Sequence, residues 1–229
     1  MKILAIGAHP DDIEIFMYGL LAQCKNRGDE VNMIVATNGA AGKIKTDNNL
    51  KNIRKKEALN GLKNLGNPVF LDLPDGKLSY NFNAPKLIRK YLKKFSPDLV
   101  VTHAPEDYHP DHKALSIFVS ECVGFKCGLI FADTLMGINF NPEIYIDISD
   151  VFEDKKKAIA CHKSQIPEKF INAVKIWNKF RSSQCNGPDL TFAECYRLSK
   201  TFPFVDIRSK LPPEPKFRPF YSKNSEGLI

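Results

Sequence analysis

The chain opens with KILAIGAHPDDIE at residues 2–14, where a short apolar run gives way abruptly to histidine, proline and carboxylates. An apolar run of this length that ends in Gly7 is typical of a strand buried on both faces of a sheet. The next segment, Asp12–Arg27, carries apolar side chains at helical spacing and stops at Gly28. The stretch therefore predicts a buried strand that leads straight into a helix, with polar side chains at the join.

The same alternation of strand and helix continues along the first 150 residues. Strands that alternate with helices indicate a mostly parallel sheet with right-handed crossovers and helices on both faces. The predicted fold is α/β, a Rossmann-like three-layer sandwich. Its strands are predicted at Ile3–Gly7, Val31–Ala36, Val69–Leu71, Leu99–Thr102, Gly128–Ala132 and Glu143–Ile148. The helices after the first are predicted at Leu50–Leu65, Ala84–Phe95 and Pro110–Val123.

After Asp150 the pattern becomes helical, at Val151–His162 and Lys169–Cys185, and then irregular. Five of the 15 prolines fall between residues 203 and 219, and proline interrupts both helices and sheet ladders. We expect a single domain over residues 1–229. It would comprise a core over 1–150, a helical elaboration over 151–200 and a Pro-rich tail over 201–229 that packs on the domain or on a neighbouring subunit.

The composition is that of an ordinary globular protein, with 43% hydrophobic and 26% charged residues, which excludes disordered, collagen-like and coiled-coil chains. The 33 Lys and Arg against 26 Asp and Glu give a net charge of +7. Such a surplus permits an anionic partner without requiring one. No nucleic-acid-reading module is recognisable, so no nucleic acid is expected as partner.

The sequence predicts a cytoplasmic location. The six cysteines form no Cys-x-x-Cys pair, which is typical of reduced thiols in a cytosolic protein. Asp11 and Asp12 interrupt the apolar start too early for a secretory signal. No apolar run approaches the roughly 18 residues that a membrane-spanning helix needs.

Two motifs contain His-Pro-Asp: HPDD at residues 9–12 and HPDH at residues 109–112. Each follows a predicted buried strand and opens a helix, where proline suits the first turn because its missing N–H costs nothing. The outer residues of each motif are three apart, so they can project from one face of a helical turn. Each motif alone is weak evidence for a metal site, since an isolated histidine or aspartate at a helix start is usually a cap.

The predicted fold brings the two motifs together. In the common strand order 3-2-1-4-5 the first and fourth strands are neighbours, and ligands bind in the crevice at their carboxyl ends. Two imidazoles and one carboxylate from this crevice would form a three-ligand set with an open position, which is typical of catalytic zinc. His103, at the end of the fourth strand, is predicted to be a structural or rim residue rather than a ligand.

With these motifs the sequence resembles the PIG-L / LmbE-like family of zinc-dependent N-deacetylases. The resemblance runs in order from Met1 to about Arg197, and the two His-Pro-Asp motifs are its specific part. Members of the family often have a Gly-Gly pair where this chain has residues 16–19, and many have an acidic residue where it has Ala40. These departures leave the identity of the substrate open. The corroborating segments are Thr37-Asn38-Gly39, Arg54 with Glu57-Ala58, Leu73-Pro74-Asp75-Gly76, His162-Lys163-Ser164-Gln165 and Ala193-Glu194-Cys195-Tyr196-Arg197.

The resemblance implies a role for each matching residue. His9, Asp12 and His112 would be the zinc ligands. Asp11 would be the general base that activates water. A cationic His109 would stabilise the oxyanion or protonate the leaving amine, and Asp111 would orient His109 or a metal ligand. Arg54 and Asp75 would contact the substrate.

The predicted function is a zinc-dependent hydrolase, with Fe²⁺ as a possible replacement, that removes the acetyl group from an N-acetylglucosamine-type conjugate. An amide is a poor electrophile, and zinc supplies both a potent nucleophile and a polarised carbonyl. The substrate is expected to be a small amino-sugar molecule, which could be anionic, and the protein a homo-oligomer. Two alternatives stay open: a zinc hydrolase of another amide, such as an acylated antibiotic or nucleotide sugar, and a non-catalytic metal- or sugar-binding protein.

Three further segments allow two interpretations each. Lys169–Arg181 could lie on an anionic membrane, but a core-facing helix with Phe170, Val174 and Trp177 inward is favoured. The lysine-rich region 43–56 is a solvated helix face by default and otherwise an electropositive rim. The segment 162–165 could line the site or form a structural network at a helix end.

Overall fold

The computed structural model describes residues 1–42, 49–201 and 206–216. Within these ranges the chain forms one seven-stranded sheet with helices on both faces, so the predicted α/β three-layer class is confirmed. The strands are β1 Lys2–Gly7, β2 Glu30–Thr37, β3 Val69–Leu73, β4 Leu99–His103, β5 Gly128–Ala132, β6 Ile144–Asp147 and β7 Ala193–Leu198. The helices are α1 Asp12–Phe16, α2 Tyr18–Asn26, α3 Leu50–Leu62, α4 Ala84–Phe95, α5 Pro110–Val123, α6 Phe152–Ala160 and α7 Pro167–Gln184.

The strand order is β3-β2-β1-β4-β5-β7-β6, so the predicted order 3-2-1-4-5 is confirmed. The first five strands are parallel, and β1 lies between β2 and β4 with Ile6 opposite Thr102. Residues 3–6 of β1 are fully buried, as a strand covered on both faces must be. The carboxyl ends of β1 and β4, which carry the two motifs, are therefore adjacent.

The seventh strand corrects the prediction that residues 151–200 form a purely helical elaboration. β7 enters the sheet antiparallel between β5 and β6. Its sequence, AECYRL, contains charged residues that obscure the apolar alternation of a strand. Glu194 is nevertheless buried, because its carboxylate lies 2.7 Å from Lys155 Nζ and accepts the N–H groups of Gly19 and Leu20.

The first predicted helix is also corrected, because it breaks at Met17, whose φ of −135° is not helical. The Glu194 carboxylate satisfies the free N–H groups at the start of α2, as a capping side chain would. Pro10 lies before α1 rather than in its first turn, which contradicts the prediction for the first motif. Pro110 does occupy the first residue of α5, as predicted.

Two apolar layers flank the sheet. One lies between the sheet and the helices α1, α2, α6 and α7, and the other between the sheet and α4 and α5. Val174 and Trp177 of α7 are buried in the first layer and Phe170 is half-buried, so the core-facing interpretation of this helix is confirmed. No helix among residues 1–42, 49–201 and 206–216 is long and apolar enough to cross a membrane.

The described part of the tail, residues 206–216, packs on the domain. Ile207 and Leu211 are buried in the same apolar layer as Leu99, and the N–H of Asp147 donates to Pro213 O at 2.9 Å. Residues 202–205 and 217–229 of the predicted tail lie outside the described residues.

Candidate metal centre and catalytic cleft

A cleft of about 270 Å³ opens at the carboxyl ends of β1 and β4, and both motifs contribute to its walls. The prediction that the fold brings them together is therefore confirmed. Its lining combines apolar side chains with polar side chains and loop backbone. The lining residues are His9, Asp11, Asp12, Ile15, Phe16, Ala41, Gly42, Arg54, Asp75, Gly76, Tyr108, His109, His112, Leu135, Gln165 and Phe170.

Three buried side chains meet at the floor of this cleft. His9 Nδ1 lies 3.2 Å from His112 Nε2 and 3.3 Å from Asp12 Oδ2. His112 Nε2 lies 3.3 Å from Asp12 Oδ1. Zinc–nitrogen and zinc–oxygen bonds of about 2.0 Å in tetrahedral geometry separate neighbouring ligand atoms by about 3.3 Å. The spacing and chemistry of the three donors therefore fit a zinc ion.

Carboxylates stand behind both imidazoles of this set. His9 Nε2 lies 3.2 Å from Asp75 Oδ1 and 3.4 Å from Asp111 Oδ2. His112 Nδ1 lies 3.1 Å from Asp107 Oδ2. Carboxylates in this position fix the tautomer of a metal-binding histidine and raise its basicity. Asp107 was missed by the sequence reasoning, and its one signal was its place two residues before the HPDH motif.

The Asp12 carboxylate is held by groups outside the metal set as well. Its Oδ2 accepts the N–H of His9 at 2.6 Å and lies 3.1 Å from His103 Nε2. Burial would raise the pKa of Asp12, but the imidazoles of His112 and His103 hold it well below its usual range. His103 is buried and stacks on His112 at 3.7 Å, so it belongs to the structural support of the site and not to its rim.

Asp11 lies beside this set in an unusual backbone conformation, with φ 153° and ψ −20°. Its Oδ1 is 3.1 Å from Arg54 Nη2. Burial raises the pKa of Asp11, and the charge of Arg54 offsets this only in part. A carboxylate with a raised pKa can take up a proton and release it again during a reaction.

His109 faces the imidazoles of His9 and His112 at ring-centroid distances of 4.6 Å and 4.8 Å. Its Nδ1 accepts the N–H of Asp111 at 3.2 Å, which leaves the proton of a neutral ring on Nε2. Burial and the charges of His9 and His112 lower the pKa of His109. These contacts favour a neutral ring over the cation that the sequence reasoning expected.

Asp111 supports a ligand rather than His109 with its side chain. Its carboxylate accepts the N–H groups of Gly76 at 2.7 Å and Leu78 at 3.0 Å and faces His9. Only its backbone N–H orients His109. Of the two roles implied for Asp111, the side-chain geometry fits the one toward the metal ligand.

The two residues implied to contact substrate, Arg54 and Asp75, both line the cleft. Asp75 Oδ2 accepts the N–H of Ala41 at 2.9 Å. Burial would raise the pKa of Asp75, but the hydrogen bond and charge of His9 lower it below its usual value. Arg54 is 4% exposed and is engaged with protein groups. Residues 43–48 of the lysine-rich region lie outside the described residues, so both interpretations of this region stay predictions.

Each of the two interpretations of the segment 162–165 holds for part of it. His162 Nε2 lies 2.7 Å from Glu14 Oε1 in a buried pair, and Ser164 donates to the carboxylate of Glu57. Gln165 alone lines the cleft. The segment thus provides both a structural network and one cleft residue.

Comparison with known proteins agrees with this geometry. The chain is 27% identical over 192 residues to the diacetylchitobiose deacetylase of Thermococcus kodakarensis, covering 73% of this chain and 71% of that protein. An N,N'-diacetylchitobiose deacetylase from Pyrococcus horikoshii, solved with an inhibitor, superposes with a TM-score of 0.75 at 26% identity, covering 86% of this chain and 83% of that one. The 4-carboxy-2-hydroxymuconate hydratase of Pseudomonas putida KT2440 superposes with a TM-score of 0.77 at 19% identity, covering 90% and 98%, and shows a shared fold alone.

The family model described as "PIG-L: GlcNAc-PI de-N-acetylase" matches residues 4–123. The matched range is more than half of the 229 residues and contains both His-Pro-Asp motifs. It also contains most of β1 and all of β2, β3 and β4. The chain belongs to the PIG-L family.

Proposed function

We propose that the protein is a metal-dependent N-deacetylase that hydrolyses the acetamide of an N-acetylglucosamine-type conjugate to a free amine and acetate. The observation that carries the proposal is the buried set of His9 Nδ1, His112 Nε2 and the Asp12 carboxylate. The two nitrogens lie 3.2 Å apart, each lies 3.3 Å from one oxygen of Asp12, and Asp11 lines the same cleft. The family match and the chitobiose deacetylases named above support the same reaction and the amino-sugar substrate.

His9, Asp12 and His112 would hold the metal, with zinc as the first choice and Fe²⁺ as an alternative. The metal supplies Lewis acidity toward the amide carbonyl and toward water, whose pKa falls to about 7 on zinc. The donor set of two imidazoles and one carboxylate is a common one for catalytic zinc and leaves an open position. Asp75, Asp111 and Asp107 would fix the two imidazoles in their binding orientation.

Asp11 accepts a proton from the attacking water and later passes it to the departing nitrogen. The amine must leave protonated, and Asp11, with its raised pKa, can carry the proton between the two steps. His109 donates its Nε2–H to the oxygen on which negative charge builds up. A neutral imidazole is a poor acid, so its neutral state favours the oxyanion role over protonation of the amine.

Hydrolysis balances without any co-reactant, because one water is consumed and acetate and a protonated amine are formed. The polar groups of Asp75 and of the loop at residues 41–42 in the cleft lining suit a hydroxyl-rich sugar. The proposed substrate is a small molecule, and anionic forms belong to the screen because the chain carries a net charge of +7. We also propose that the enzyme is homo-oligomeric and cytoplasmic.

Metal analysis coupled to an acetate-release screen tests the function. The panel comprises free, phosphorylated, nucleotide-linked and lipid-linked N-acetylglucosamine and a glucosaminyl malate conjugate. Stoichiometric metal with acetate release from at least one member supports the proposal. Bound metal without release from any member would count against deacetylation and favour a hydrolase of another amide or a binding protein.

Two variants separate metal binding from chemistry. Asp11→Ala should retain zinc but lose at least about 100-fold in turnover, since a general base contributes at least that much. His112→Ala should lose the metal together with activity. Full activity in the first variant would remove Asp11 as the base, and unchanged zinc content in the second would remove His112 as a ligand.

A further inference from the structure

Arg54 is held in the wall of the cleft by three protein oxygens. Its Nη2 lies 3.1 Å from Asp11 Oδ1 and donates to Pro10 O at 3.2 Å. Its Nη1 donates to Gly39 O at 3.0 Å. The side chain is 4% exposed. Both terminal nitrogens of the guanidinium are therefore directed at protein groups.

The loop at residues 39–42 closes around this guanidinium. A Cβ atom at Gly39 would lie 2.9 Å from Arg54 Cζ, and one at Gly42 would lie 2.9 Å from Nη1. Both distances are shorter than real Cβ contacts allow. Only glycine permits the backbone to approach the guanidinium this closely. The two glycines of the loop therefore allow Arg54 to occupy its observed position.

Two of the contacts of Arg54 fall on a turn whose backbone is strained. Pro10 O and Asp11 Oδ1 belong to consecutive residues, and Asp11 has a positive φ that side chains rarely adopt. Such a conformation persists only where surrounding contacts hold it. Arg54 holds this turn at two points and occupies one of the two oxygens of the carboxylate.

We infer that Arg54 is a positioning residue that fixes Asp11 for proton transfer and does not bind the substrate itself. The inference rests on the proposed function, in which Asp11 is the base. It differs from the substrate contact that the family resemblance implies for Arg54. A carboxylate held at Oδ1 presents Oδ2 toward the cleft in a fixed direction, and misplacing a catalytic group by 1 Å can cost about 100-fold in rate.

The first test is the division of the effect between kcat and KM in Arg54→Lys. Lysine keeps the charge but cannot reach Asp11, Pro10 and Gly39 together, because it lacks the planar fork. We expect kcat to fall by about 10- to 100-fold, with KM within about twofold of wild type. Arg89→Lys, on the exposed face of α4, is the matched control and should change neither constant.

The second test asks whether Arg54 acts through Asp11. In an Asp11→Asn background the further change Arg54→Lys should reduce the residual kcat by less than about twofold, since residues that act as a unit are not additive. The affinity of Asp11→Asn for uncleaved substrate, measured by calorimetry, should also be unchanged by Arg54→Lys. A loss of affinity in the double variant, or a full multiplicative loss of kcat, would overturn the inference in favour of substrate binding.

Gly42→Ala tests the contact between Arg54 and Asp11 in a second way. The added Cβ meets the end of a flexible side chain, so the guanidinium shifts while the fold is retained. This variant should lower kcat more than it raises KM and should melt within a few degrees of wild type. If it raises KM alone, the inference is wrong. Absence of any turnover by the wild type across the substrate panel would instead remove the proposed function, and this inference with it.

Discussion

Asp107 contacts both histidines of the second motif through one buried carboxylate. Its Oδ2 lies 3.1 Å from His112 Nδ1, and its Oδ1 accepts the backbone N–H of His109 at 2.9 Å. Burial opposes ionisation, but the imidazole of His112 holds the pKa of Asp107 below its usual value. A carboxylate in this state orients the metal-binding nitrogen of His112 and the start of α5 together.

Asp107→Asn should therefore weaken zinc binding by about 10- to 100-fold, the usual effect of removing a carboxylate behind a ligating histidine. The amide retains an oxygen for the N–H of His109, so the start of α5 should be preserved. Competition against a chromophoric chelator measures the zinc affinity, and circular dichroism checks the fold. Wild-type affinity in the variant would show that Asp107 does not tune His112.

The charge of His109 decides the shape of the pH profile. Burial and the neighbouring imidazoles of His9 and His112 lower the pKa of His109 from its usual value, which favours the uncharged ring. If the neutral ring donates from Nε2, raising the pH from 6.5 to 8 removes no required proton. We expect kcat at saturating zinc to stay level or rise over this range. A fall with a midpoint between pH 6.5 and 8 that disappears in His109→Gln would show that the cation is required.

At the scale of elements, the break between α1 and α2 leaves Asp12 at the start of a short first helix. Gly19 opens α2 where it passes β6 and β7, and a Cβ there would lie 2.4 Å from Ile148 Cγ2 and 2.9 Å from Glu194 Cδ. The carboxylate of Glu194 needs this approach to accept the N–H groups of Gly19 and Leu20. The buried pair of Glu194 with Lys155 links the break to α6.

Gly19→Ala should accordingly destabilise the protein, although alanine is the better helix former. Overpacking of a tight interior typically costs about 1–3 kcal/mol in the free energy of unfolding, more than the roughly 1 kcal/mol that alanine gains in helix propensity. Urea denaturation measures the difference. A variant as stable as wild type would show that α2 can move away from β6 and β7 without cost.

The sequence predicted the elements whose periodicity is local and missed those fixed by contacts distant in sequence. β1 to β5 and the meeting of the two motifs followed from apolar runs and strand order. β7 was missed because Glu194 is charged, and its burial depends on Lys155, 39 residues away. The candidate metal site was predicted from the two motifs together. The contacts of Asp107 and of Arg54 depend on side-chain directions, which sequence spacing does not give.

At the scale of the whole molecule, we expect the cleft that carries function and the Ile207 contact that supports stability to be independent. The cleft lies at the carboxyl ends of the parallel strands. Ile207 of the tail segment lies at the opposite end of these strands, where its Cγ1 is 3.5 Å from a Cβ placed at Gly128, the first residue of β5. Ile207 is 3% exposed and shares an apolar layer with Leu99 and Leu198.

Ile207→Ala should therefore lower stability without changing catalysis. Removing a buried isoleucine side chain costs about 2–5 kcal/mol in the free energy of unfolding, as lost burial plus the cavity left behind. The change is remote from the cleft, so kcat and KM under native conditions should equal those of wild type. Ile117→Ala, at a 52% exposed position on α5, is the matched control, and it should shift stability by no more than about 0.5 kcal/mol. Reduced kcat in Ile207→Ala with unchanged urea denaturation would contradict this separation, because it would mean that the tail reaches the cleft through the sheet.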